Sequence, residues 1–214
     1  MRVDVWSDIV CPWCYIGKRR FERAVTQFVD RGDLRVVHRS FRLDSTSPPG
    51  TVRDHRRNLM AKYGLSEPQA ADAQTRMERT AAEEGLELRL AGGVTGNTLD
   101  AHRLLQLAAG RAVQPAVLER LYRAHFTEQR SIFDVGSLAA LGGEAGLDAD
   151  EAHRVLRETT YGDAVAADEL EARRLGVTGV PFVVVGGRYA VSGAQGPEVF
   201  ANVLDLAWRE AARL

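Results

Sequence analysis

The sequence predicts an α/β protein: a β-α-β start and a β-β-α ending flank a large all-helical domain inserted between these halves. Three observations carry this reading. Alternating, β-branched segments sit only near the two ends of the chain: "RVDVW" and "LRVVHRSFRL" before residue 44, "FVVV" and "RYAV" after residue 181. The long middle reads as helix, with cap signals and no internal repeat or low-complexity segment. The only two cysteines, Cys11 and Cys14, fall where the first strand gives way to the first helix.

Taken in order, residues 2–6 alternate as a strand does. From Pro12 to about Asp30 the period becomes helical, with Ile16, Phe21, Ala24, Val25, Phe28 and Val29 near one face, and "RGD" at residues 31–33 ends it. Residues 34–43 make the second strand, and "STSPPG" at residues 45–50 breaks the pattern. Ser66 with Gln69 forms a capping box, with Pro68 close behind. Asn97 can cap the helix that begins "TLDAHRLLQLA". Leu118, Leu121, Tyr122, His125 and Phe126 keep one helix face, and Asp148 with Glu151 makes a second cap of the Ser66 kind. A helix over residues 163–175 leads into "GVTGVPFVVVGGRYAVSGAQG". There Phe182 to Val185 form a buried-type strand, Gly186-Gly187 a hairpin turn, and residues 188–191 the returning strand. "GPEVFANVLDLAWREA" closes the chain as a helix. The domain division is then 1–44 with 163–214 as one discontinuous unit, and 45–162 as the inserted one.

Composition narrows the function. The 28 basic and 29 acidic residues leave a net charge of -1, which gives no general field for nucleic acid or an anionic membrane. The basic clusters "KRR" (Lys18 to Arg20) and "HRR" (His55 to Arg57) read as solvated helix faces. No apolar run is long enough for a membrane helix, and the N-terminus lacks the apolar core of a secretory signal. The expectation is a cytoplasmic protein with no nucleic-acid or membrane partner. In that compartment structural disulfides are rare, so a close cysteine pair points to redox chemistry or metal. Zinc needs four ligands, and one Cys-x-x-Cys with no His pair at helical spacing does not supply them, so no metal is expected.

A helix places residues i and i+3 about 5–6 Å apart on one face, within the Cα range that a disulfide tolerates. Pro12 suits the first helical position because its missing N–H would be unpaired there. Cys11 then sits at the cap, facing free N–H groups and the positive end of the helix dipole, where a thiolate is stabilised. Cys14 lies one turn inside. The roles follow: Cys11 is the nucleophile and Cys14 the resolving thiol.

"CPWC" at this junction and "GVPFVVV" before a β-β-α ending resemble the DsbA family of the thioredoxin superfamily, whose layout also carries a helical insertion. "SDIVCPWCYIGK", "NTLDAHRL" and "VSGAQ" resemble its FrnE-like branch, related to 2-hydroxychromene-2-carboxylate isomerases and kappa-class glutathione transferases. The resemblance covers nearly the whole chain and implies a thioredoxin-like fold. It also implies a cis Val180-Pro181 peptide beside the cysteines, with the Val180 backbone free to pair with an extended substrate. Trp13 departs from the histidine that the best-known periplasmic members carry between their cysteines, which implies a less oxidising protein. Asp8, just before the motif, would oppose a thiolate at Cys11 or accept the proton of Cys14, according to which it approaches.

For substrate contacts the resemblance singles out Val180, His102, Asn97 and Gln195. Each but Val180 also has a plain structural reading: a satisfied histidine, a helix cap, and a residue holding its own turn. His38, His55, His125 and His153 show no partner in the sequence, and Trp6 and Trp208 read as core aromatics.

The leading function is a thiol-disulfide oxidoreductase or isomerase (Cys11, Pro12, Trp13, Cys14, Pro181) acting on protein or small-molecule thiols and disulfides. It would hold no tightly bound cofactor and would use glutathione or another thiol as redox partner. Two other readings share these residues: a glutathione-dependent isomerase or transferase acting on a small aromatic or polyketide-like substrate, and a non-enzymatic redox sensor or chaperone-like binder. The relatives with isomerase or transferase activity typically carry serine at the position of Cys11, which argues against the first of these. A homodimer is compatible with the relatives.

Overall fold

The computed structural model describes residues 1–28 and 34–211. Strand β1 (Arg2–Ser7) leads into helix α1 (Pro12–Gln27), and β2 (Arg35–Ser40) returns alongside β1 in parallel, with Val3 opposite Val36 and Val5 opposite His38. Val29 and the "RGD" stop predicted after it lie outside the described residues. Near the other end of the chain, β5 (Phe182–Val185) pairs antiparallel with β1, and β6 (Tyr189–Ser192) folds back on β5. The sheet order is therefore β2-β1-β5-β6. Gly186 and Gly187 both hold positive φ, +60° and +69°, as the tight hairpin between β5 and β6 requires.

The alternation of β1 decides its two faces. Val3 and Val5 join Val183, Val185 and Val191 beneath α1 and the closing helix, where Phe21 meets Phe200 edge-on. Trp6 points the other way, against Val184, Ala172 and Val177. Trp208 packs edge-on to Phe28 in the first of these cores.

Between β2 and β5 run α2 (His55–Tyr63), α3 (Glu67–Glu83), α4 (Leu99–Gly110), α5 (Gln114–Phe126), α6 (Val135–Glu144), α7 (Ala149–Arg157) and α8 (Gly162–Arg174), and α9 (Pro197–Ala211) closes the fold. The Ser66–Gln69 capping box is complete, and Asp148 accepts the Glu151 N–H. The block is helical except for a two-stranded antiparallel ribbon, β3 (Val52–Asp54) against β4 (Val94–Gly96). Three-residue strands are too short to show an alternation, so the sequence pattern does not reveal them.

The block is tied both to the start of α1 and to the edge of β2. Its core cluster includes Ile9, Cys11, Cys14, Tyr15 and Ile16 together with Leu104, Leu121, Tyr122 and Phe126, so the start of α1 packs inside the block. The free edge of β2 is closed by side chains of α5 and α8. The Gln114 amide accepts the His38 N–H at 3.3 Å and donates to the His38 carbonyl at 3.1 Å, standing in for one residue of a neighbouring strand. Asp168 accepts the Ser40 N–H at 2.9 Å and binds Arg39 at 2.8 Å.

The "KRR" cluster is not a solvated face. The Lys18 side chain is only 9% exposed and, with Arg19 and the Tyr15 hydroxyl, converges on Glu119 of α5. Sequence spacing could not show this, because Glu119 lies about a hundred positions away.

Candidate active site

Cys11 is the N-cap residue of α1, and Pro12 opens the helix. No side chain caps this end, and its first turn holds no acidic residue. The Cys14 N–H donates to the Cys11 carbonyl at 3.0 Å, which holds the two cysteines on one turn. Both are free thiols here.

Their surroundings differ. Cys11, Pro12 and Trp13 line a cavity of about 560 Å³ whose far wall is built from α2, α3 and β4, with Leu59, Met77 and Lys62. Trp13 is 40% exposed and Cys14 is 1% exposed. The Cys14 thiol is held well above its ordinary pKa, first by burial, then by its hydrogen bond with Cys11 and by the nearby charges of Cys11 and Asp8. At neutral pH Cys14 therefore keeps its proton.

Val180-Pro181 is a cis peptide, and the Cys11 sulfur approaches the Val180 carbonyl oxygen at 3.7 Å. Val180 packs against the block's core, which brings the Val-Pro turn over the helix end. Gly17 makes this approach feasible. A Cβ added there would lie 2.8 Å from Pro181 Cγ and 3.3 Å from Ala194 Cβ.

Behind the dithiol lies a buried polar pair. One Asp8 carboxylate oxygen is 3.3 Å from His102 Nε2, the other accepts the Leu43 N–H at 2.8 Å, and both side chains are 1% exposed. The Asp8 carbonyl accepts from the Cys11 N–H at 3.2 Å and the Tyr122 hydroxyl at 3.4 Å. Tyr122 stacks on Tyr15 with ring centroids 4.7 Å apart.

Three of the expected substrate contacts are placed otherwise. His102 is buried against Asp8 and presents nothing to the cavity. Asn97 accepts the Leu99 N–H at the start of α4 and donates to the Ser47 carbonyl, so it ties a loop to a helix. Gln195 holds its own turn by donating to the Ser192 carbonyl at 2.9 Å. His55 belongs to the cavity wall and pairs with Gln74 at 2.9 Å; "HRR" gives no sign of this, because the groove exists only once α2 and α3 stand opposite the start of α1.

A model of the DSBA-like thioredoxin domain matches residues 2–205. A probable DsbA oxidoreductase from Streptomyces coelicolor is 48% identical and superposes with a TM-score of 0.95, over 98% of this chain and 91% of that one. Two further structures share the fold at lower identity. The cytosolic disulfide reductase DsbM from Pseudomonas aeruginosa with GSH has a TM-score of 0.67 at 19% identity, over 98% of this chain and 100% of that one. A 2-hydroxychromene-2-carboxylate isomerase has a TM-score of 0.67 at 18% identity, over 100% and 98%.

Proposed function

Because the chain belongs to the DSBA-like thioredoxin domain family, we propose that its Cys-Pro-Trp-Cys pair cycles between dithiol and disulfide, with Cys11 as nucleophile and Cys14 as resolving thiol. The observation that carries this reading is the asymmetry of the pair. Cys11, 6% exposed, caps a helix and lines a cavity of about 560 Å³, while Cys14, 1% exposed, does not line that cavity and is held protonated. The Cys11 thiolate attacks a substrate disulfide, forming a mixed disulfide and expelling one substrate thiolate. Cys14 then gives its proton to the Asp8 carboxylate, and its sulfur attacks Cys11 and expels the second substrate thiolate. The protein ends as a disulfide and the substrate as two thiols; the reverse sequence oxidises a dithiol. Trp13 adds no positive charge beside the pair, which suits a reductase or isomerase of the cytosol.

Glutathione or another low-molecular-weight thiol is the redox partner in this proposal. The Lys62 ammonium on the cavity wall has no carboxylate partner among the described residues and would receive such a ligand's carboxylate. The DsbM structure, described with GSH, supports the same partner.

The test is a glutathione redox titration of the whole chain, read by thiol trapping and intact mass. Reversible closure of Cys11–Cys14 at a defined potential is expected. Cys11→Ala should abolish turnover, and Cys14→Ala should accumulate a mixed disulfide on Cys11. If both thiols stay free across the titration while glutathione binds noncovalently, the dithiol reading fails and the isomerase reading replaces it.

A further inference from the structure

The dithiol has a second cavity at its back. It measures about 300 Å³ and lies between α1, the β1–β2 face of the sheet and α5. Cys14 lines it and Cys11 does not, whereas the larger cavity is lined by Cys11 and not by Cys14. The two thiols therefore look out on different spaces.

The wall is mostly apolar, with Phe21, Val25 and Leu118, and its polar side chains are Ser7, Lys18, Glu22, Thr26, His38 and Tyr122. His38 projects from β2 into this space, and its side chain makes no hydrogen bond among the described residues; Nδ1 is fully buried. Burial, reinforced by the Lys18 charge, lowers His38 to about pKa 4, so the ring is neutral at neutral pH. A neutral imidazole offers one N–H donor and one bare nitrogen acceptor. Nδ1 is the ring nitrogen sealed from water, and leaving it unpaired there is costly. At the rim, Lys18 is taken up by Glu22 and Glu119, and Glu22 also binds Arg19, so no free charge awaits an ionic ligand. The volume sits at the lower limit of small-molecule sites, about 300–1,000 Å³.

We propose that this back cavity is a binding site for a small neutral aromatic alcohol of the phenol class, with its ring among Phe21, Val25 and Leu118 and its hydroxyl on the His38 imidazole. The site is separate from the cavity that serves Cys11, and it does not depend on the direction of the redox reaction.

Phenol and toluene are the probes, titrated into the reduced full-length chain by calorimetry and ligand-observed NMR. The two rings match in size, and only phenol can bond His38. Phenol should bind at least tenfold more tightly than toluene. His38→Leu should erase that preference while toluene still binds, and Val25→Phe, which fills the cavity, should remove both without changing the glutathione redox midpoint. Equal affinity of the wild-type chain for the two probes, absence of phenol binding up to its solubility, or phenol binding that survives Val25→Phe would each overturn the proposal. The wild-type comparison requires no variant to fold.

Discussion

Asp8 and His102 lie 94 positions apart in the chain, yet the Asp8 carboxylate and His102 Nε2 meet at 3.3 Å with both side chains sealed from solvent. The charge of Asp8 also reaches Cys14 and opposes its ionisation. Two effects of the carboxylate therefore compete in the proposed mechanism: as a fixed negative charge it hinders loss of the Cys14 proton, and as a base it would receive that proton.

Asp8→Asn separates them. If the base role dominates, release of the Cys11 mixed disulfide should slow by ~100-fold, the lower range for a positioned acid or base. Quenched single-turnover mass spectrometry reads this step, and alkylation of Cys11 by iodoacetamide serves as the control that should not change. Faster release in Asp8→Asn would mean that the carboxylate acts only by repulsion.

His102→Leu should cost about 1–3 kcal/mol of stability, because it strips a buried carboxylate oxygen of its partner. His102→Gln, which retains a donor, should recover part of that loss. Urea unfolding of the three chains tests the ranking. Direct substrate contact by His102 would instead leave stability unchanged and raise KM.

Gly17→Ala places a methyl 2.8 Å from the Pro181 ring. Alanine is the better helix former by about 1 kcal/mol, but overpacking costs roughly 1–3 kcal/mol. Net destabilisation of about 1 kcal/mol is expected, together with slower mixed-disulfide formation at Cys11 as the Val180-Pro181 turn is pushed away. Gly110→Ala is the contrast. A Cβ there meets nothing within 4 Å, so it should stabilise by roughly 0.5–1 kcal/mol. Denaturant midpoints of both variants decide the matter.

His125 sits edge-on to Phe126 and Phe133 and is lowered to about pKa 4, chiefly by burial and then by the His55 charge. Its native pKa lies below the unfolded value of about 6.5, so the unfolded chain binds the proton first. Its contribution is complete above pH 6.5 and is lost as pH falls toward 4, by up to about 3 kcal/mol. His125→Phe should flatten that part of the stability–pH curve. An unchanged slope between pH 6.5 and 4 in the variant would show that other groups set it.

Asp168 is 4% exposed and binds the Ser40 N–H, Arg39 and Gln106. Asp168→Ala should lose about 3 kcal/mol, the lower range for breaking a buried pair. Calorimetric unfolding measures the loss. A change below about 0.5 kcal/mol, typical of a surface position, would mean that water readily replaces the carboxylate at the strand edge.

What could be read from the sequence was local. Cys11 and Cys14 on one helical turn, the Gly186-Gly187 hairpin and the Ser66–Gln69 box each use neighbours within four positions, where spacing translates directly into geometry. The cis Val180-Pro181 peptide and its place beside the cysteines follow from the family resemblance and not from spacing. The Asp8–His102 pair, the Lys18–Glu119 link and the cavity wall from α2 and α3 depend on how distant helices dock. No period or motif records that, so Lys18 and His55 passed for solvated charges.

The closed edge of β2 has a consequence for how the chain is made. Gln114 and Asp168 guard His38 and Ser40, yet Asp168 follows Ser40 by 128 positions. At a synthesis rate of ~5–20 residues per second, the second guard leaves the ribosome about 6–25 s after the strand it protects. During that interval Arg35 and Arg39 are the charges that keep the bare edge from pairing with a neighbouring nascent chain. The arginines of β2 thus protect the polypeptide before it has a fold, and Arg39 later turns to Asp4 and Asp168 as a structural ligand.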